Sequence, residues 1–117
     1  MAIRDILVNL DAGPAGAARL DLAATLAARL SAHLVGLHVI DIPLPTFAGA
    51  DLGGGAVIAD VIQRMYDDAA AAAKPVENAF RDRLRRDGLL GEWRQVEGNL
   101  SRQITLHGRY ADLIVLG

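Results

Sequence analysis

Short runs of aliphatic residues, separated by stretches of helical period, constrain this chain most. Ile6-Leu7-Val8, Leu34 to Ile40 and Leu113-Ile114-Val115-Leu116 show almost no alternation of polar and apolar residues. A strand that is apolar on both sides needs cover on both sides, and parallel sheets flanked by helices provide it. Between the runs the period changes. From Pro14 to Ser31, Leu22, Leu26 and Leu30 recur every four residues with Ala23 and Ala27 beside them, while Arg19, Thr25 and Arg29 take other faces. That is an amphipathic helix with proline at its first position. A longer helical pattern runs through Val57, Val61, Met65, Ala69 and Ala73, then Val76, Phe80 and Leu84. Pro75 removes the donor for the carbonyl of Ala71, so a kink or break is expected there.

Glu92 to Glu97 alternates weakly and reads as an edge strand, with Trp93 packing beneath it. Gly98-Asn99 caps a short helix in which Leu100, Ile104 and His107 share a face. The order is β-α-β-α-β-α-β, which implies parallel strands joined by right-handed crossovers. The stretch from Asp41 to Gly55 has two prolines and four glycines and no period, and is expected to be a long, mobile loop.

A chain of 117 residues makes one domain, 1–117. Hydrophobic residues make up 52% of it, with Ala the commonest and aromatics only 4%, as suits small-residue helices set closely on strands. A net charge of −2 gives no long-range attraction to nucleic acid or to an anionic membrane. With no cysteine, disulfides, thiolate zinc sites and cysteine nucleophiles are excluded. The N-terminus lacks a signal-peptide pattern and no apolar run is long enough to span a bilayer, so the expected address is the cytoplasm.

Open α/β sheets bind ligands beyond the carboxyl ends of their strands, where strand order reverses. The residues available there are Asn9, Leu10 and Asp11 after the first strand, Val39 to Asp41 after the second, and Leu116-Gly117 after the last. Asp11 is the foremost of them. Its carboxylate on a strand-to-helix turn has two readings: an acceptor for a base or sugar, or a turn former bonded to nearby backbone amides. Gly13-Pro14-Ala15-Gly16 occupies the position of a phosphate loop but matches neither GxGxxG nor GxxxxGK[ST]. Gly53-Gly54-Gly55 reads as a hinge. His33, His38 and His107 lack metal-ligand spacing and read as structural, so no metal is expected. Ser31 and Ser101 lie outside any GxSxG elbow. Asp67-Asp68 and Asp82 read as solvated faces. Nothing here composes a catalytic centre, and the chain is not expected to be an enzyme.

Four ordered pieces resemble the universal stress protein family. Asp5-Ile6-Leu7-Val8-Asn9-Leu10-Asp11 resembles its first strand, with Asn9 where proline is usual and Gly13 where serine is common. Leu37-His38-Val39-Ile40-Asp41 resembles the second strand. Gly98-Asn99 before a short helix is the third piece, and Tyr110-Ala111-Asp112-Leu113-Ile114-Val115-Leu116-Gly117 the fourth. The resemblance implies a Rossmann-like open parallel sheet with helices on both faces, in order 3-2-1-4 with the family's fifth strand absent, so that the domain is incomplete at its C-terminus or is the first half of a tandem protein. It also implies a stress-response sensor or regulator and a homodimer or tandem partner domain. ATP or AMP would be held by Asn9, Leu10, Asp11, Val39, Leu116 and Gly117. Only the first glycine of the family's G-x2-G-x9-G-[ST] phosphate loop is matched, by Gly117, so ATP binding by this chain is expected to be weak. The competing readings are a non-nucleotide dimerisation or interaction module of the same fold and a small electron-carrier or receiver-like domain, which would want a larger acidic cluster than Asp11 supplies.

Overall fold

The first strand, β1 (Asp5–Asn9), is the axis of the sheet, because Ile6, Leu7 and Val8 are all buried and therefore covered from both sides. A computed structural model describes residues 2–42 and 55–117 of the chain. In chain order β1 is followed by α1 (Pro14–Leu30), β2 (His33–Ile40), α2 (Gly55–Asp87), β3 (Gly91–Glu97), α3 (Leu100–Gly108) and β4 (Leu113–Val115). The four strands form one parallel sheet of order β3-β2-β1-β4. The expected α/β architecture and strand order are therefore observed. The loop expected over 41–55 lies, apart from its ends, outside the described residues, together with Gly53 and Gly54.

Strand order fixes where the helices lie. Two successive crossovers in one direction put α1 and α2 on one face, and the return crossover puts α3 on the other. The side chains divide accordingly. Ile6, Val8, Leu34, Phe80 and Val115 join Ala23, Ala24 and Ala27 of α1 in the larger core, whereas Leu7, Val35 and Leu37 meet Ile104 and Ala111 on the α3 side. Trp93 lies beneath β3 as expected, its ring centroid 5.9 Å from that of Phe80.

The face of α1 differs from the periodic leucines. Leu22 and Leu30 are 54% and 42% exposed, while Gly16, Arg19, Ala23, Ala24 and Ala27 are buried. A stripe of small residues lets the helix approach the sheet closely, and a leucine stripe would hold it away. Arg19, placed by sequence on another face, belongs to the buried one. The second difference is at Pro75: α2 runs through it as a single helix. Ala71 and Pro75 are both exposed, so water can satisfy the carbonyl that proline leaves without a donor. Among the described residues no helix is long and apolar enough to cross a membrane.

Three side chains fasten the ends of the strands and of α3. Asn99 caps α3 by accepting from the amide of Arg102, and Asp41 accepts from the amide of Leu100 at 3.0 Å. Asp112 accepts from the amides of Arg4 and Asp5 at 2.8 and 3.0 Å, fastening the start of β4 to the start of β1. Those amide bonds hold its carboxyl below the usual aspartate value. A lowered carboxylate pKa contributes stability above its unfolded value, about 3.9, which is lost as pH falls through the folded value. Asp112→Ala should therefore lower the melting temperature at neutral pH, and its gap from the parent should close progressively below about pH 4. A gap that persists unchanged in acid contradicts this role.

Candidate functional site

The turn from β1 into α1 is built around Asp11. Its Oδ1 accepts from the amide of Gly13 at 3.0 Å, and its backbone and carboxylate both press on Gly16. A Cβ on Gly16 would come within 2.5 Å of the Asp11 carbonyl oxygen and 2.7 Å of Oδ1, so only glycine fits there. The turn-former reading of Asp11 is thus observed. It does not use up the side chain, which is 52% exposed and has further lone pairs on Oδ2.

Arg19 supplies the cation of the site. One turn into α1, it reaches back to the end of β1, where its Nη1 donates to the carbonyl of Asn9 at 2.6 Å. The same atom lies 3.6 Å from Asp11 Oδ2, and the side chain is only 8% exposed. The Nε and Nη2 side of the guanidinium rests against Gly117, where a Cβ would come within 2.6 Å of Nε. Arg19 therefore spans the carboxyl ends of β1 and β4. The crossovers after β1 and β2 run towards β3 and the one after β3 returns across the sheet to β4, so strand order reverses between β1 and β4.

A cleft of about 240 Å³ opens beside Asp11, between the β1–α1 turn and α2. Leu10, Leu20 and Val76 give it apolar walls, and Gly13, Gly16 and Pro75 also line it. Of the six residues singled out from sequence, Leu10 and Asp11 line this cleft. Asn9 contributes its carbonyl to Arg19. Val39 packs on the α3 side of the sheet against the cluster of Leu7, Val35 and Leu37. Leu116 is exposed beyond β4, and Gly117 lies on the guanidinium. All six belong to one end of the sheet, but their side chains do not converge on one cavity among the described residues.

The histidines are partnered. His38 Nδ1 lies 2.8 Å from the carbonyl of Leu10, which makes that nitrogen the donor, and its ring stacks on Trp93 at 5.8 Å. His33 lies 3.6 Å from Asp5, and His107 is 3.3 Å from Arg94. Among the described residues no group of three or more His, Asp or Glu side chains is arranged to hold a metal ion. Sequence reasoning missed Arg19. The signal available was its position five residues after a proline-started helix turn, which aims a long side chain back at the strand end.

No family model and no curated protein matches the sequence. Solved structures do. A universal stress protein UspA from Lactobacillus plantarum is 26% identical, with a TM-score of 0.74 over 100% of this chain and 78% of that one. A member of the universal stress protein family from Burkholderia pseudomallei is 29% identical, with a TM-score of 0.59 over 96% of this chain and 79% of that one. A third, a universal stress protein in complex with cAMP, shares the fold at 20% identity, with a TM-score of 0.58 over 97% of this chain and 72% of that one.

Proposed function

We propose, on the premise that a chain with this fold and these neighbours is a universal stress protein, that it is a stress-response regulatory domain binding an adenine nucleotide at the carboxyl end of its sheet. The observation that carries this reading is Asp11, a half-exposed carboxylate at the mouth of an apolar cleft and beside a buried arginine, at the reversal of strand order. The residues present fit such a ligand. Leu10, Leu20 and Val76 offer apolar walls to a flat base, and Asp11 offers an acceptor to an exocyclic amine or a sugar hydroxyl. Sites that enclose a drug-sized ligand run to about 300–1,000 Å³, so this smaller cleft suits a base, with the phosphates outside it. The adenine class is supported by the neighbour solved with cAMP, a property of that protein carried here as part of the proposal.

A second reading is an interaction module without a nucleotide, and the bond from Gly13 to Asp11 favours it, because the turn already gives that carboxylate a purpose. In either reading the proposed domain acts as a cytoplasmic homodimer and as a regulator, not a catalyst. Support for a dimer comes from β4, the outer strand among the described residues, where Ile114 and Leu116 are 38% and 54% exposed without a charged residue between Leu113 and Leu116. Titration calorimetry with AMP, ATP and cAMP, with sedimentation of the same sample, tests both. Saturable binding of any of the three supports the first reading. Binding of none, with a well-folded dimer in the centrifuge, returns the chain to the second.

A further inference from the structure

We propose that His38 is the positioning residue of the cleft: through the carbonyl of Leu10 it fixes the direction in which the chain leaves β1, and so where Asp11 stands. The inference rests on the nucleotide reading above and assigns to it a side chain that does not itself line the cleft. β1 pairs with β2 as far as Asn9 and Leu37, and the amide of Leu10 adds one more bond, to the carbonyl of Leu37 at 2.9 Å. The carbonyl of Leu10 lies past that ladder in a residue only 2% exposed, where a backbone acceptor needs a partner. His38 provides it, Nδ1 donating at 2.8 Å. That carbonyl belongs to the planar peptide unit joining Leu10 to Asp11, so the imidazole holds the plane from which the carboxylate departs.

The ring is itself held. It stacks on Trp93 with centroids 5.8 Å apart and planes 15° from parallel, and Trp93 lies 5.9 Å from Phe80 of α2. Phe80 directly follows Ala79, which lines the cleft from α2 together with Val76, whereas Leu10 lines it from the end of β1. The row Phe80, Trp93, His38 therefore runs from one wall of the cleft to the other by way of β3 and β2. A donor locked in this way keeps the groups around a ligand in place before the ligand arrives, and less ordering is left to be done on binding. Trp93 is the only tryptophan of the chain, so its emission reports on the row.

The test uses the full chain with two substitutions that separate the donor from the ring. His38→Asn keeps an N–H near the position of Nδ1 and removes the ring, and His38→Phe keeps a ring for Trp93 and removes the donor. AMP affinity by calorimetry should follow the donor, about ten-fold weaker in the phenylalanine variant and within about three-fold of the parent in the asparagine variant. Exchange of the Gly13 amide, followed by NMR without nucleotide, should be several-fold faster in His38→Phe and unchanged in His38→Asn. AMP should shift the Trp93 emission of the parent, and shift it less in His38→Asn, where the stack is gone. Affinities that fall with the melting temperatures whether or not the donor is kept would make His38 a structural residue and overturn the proposal, leaving the nucleotide reading in place. Affinity like that of the parent in a folded phenylalanine variant would do the same. If that variant does not fold, the asparagine variant decides: retained affinity upholds the proposal and a ten-fold loss overturns it. A parent that binds no AMP removes the nucleotide reading, and the exchange of Gly13 then decides whether His38 positions the turn.

Discussion

Phe80→Ala should remove about 3–5 kcal/mol of stability, a large part of the roughly 5–15 kcal/mol that holds a domain folded. Phe80 is the largest fully buried side chain among the described residues and connects α2 to the sheet. Its ring lies over Gly36 of β2 so closely that a Cβ there would come within 2.8 Å of Cε1, and its centroid is 5.9 Å from that of Trp93 on the neighbouring strand. Truncation therefore leaves a cavity walled by backbone and by an aromatic ring, neither of which can collapse into it. Calorimetry should show a drop in melting temperature of roughly 10–25 °C. Val57→Ala supplies the contrast. Val57 is on the same helix but 65% exposed, and its removal should change stability by less than about 0.5 kcal/mol. Equal effects of the two substitutions would mean that α2 is not seated on the sheet through Phe80.

The second large effect is expected at Asp11. If the carboxylate accepts from the nucleotide, Asp11→Ala should weaken binding by about 1.5–3 kcal/mol, roughly ten- to a hundred-fold. Alanine also removes the bond to the Gly13 amide, so a second substitution is needed to separate the two roles. Asp11→Asn keeps an oxygen for that amide and loses the negative charge facing ligand and Arg19. A carboxylate that serves the ligand predicts weak binding with a normal melting curve for Asp11→Asn. A carboxylate that serves only the turn predicts the reverse, with affinity unchanged in Asp11→Asn and a lowered melting temperature in Asp11→Ala.

The strands were legible because burial on both faces leaves a mark that local sequence cannot disguise: Ile6-Leu7-Val8 has no polar side to turn to water. Alternation of strands with helical periods then gave the parallel sheet, and with four ordered pieces of resemblance it gave the strand order as well. Helix orientation was less legible. In α1 the eye follows Leu22, Leu26 and Leu30, but the sheet takes the alanines with Leu26 beside them and leaves Leu22 and Leu30 exposed, since the depth of helix–sheet contact is decided by the partner surface and not by the helix alone. Pro75 misled for a related reason, because its cost depends on whether water reaches the carbonyl of Ala71. At the site, Asp11 could be read from its turn. Arg19 was passed over, because an arginine within an amphipathic pattern is ordinarily a solvated residue, although its place early in α1 aims it back at the strand end.

The clasp that Asp112 makes on Arg4 and Asp5 has a kinetic side. It joins residues 108 and 107 positions apart, whereas β1 and β2 pair across the span of a single helix. The largest loop of the domain therefore has to close before β4 can dock, and for that it gains three residue pairs with β1. Sheet assembly starting from β1 and β2 and ending with β4 follows from that imbalance, as does early release of β4 when the protein opens locally. Gly117 leaves with it. The buried guanidinium of Arg19 would then lose its cover in a partly opened molecule whose main core is still intact, so how often water reaches this end of the sheet would be set by how often one short strand lets go.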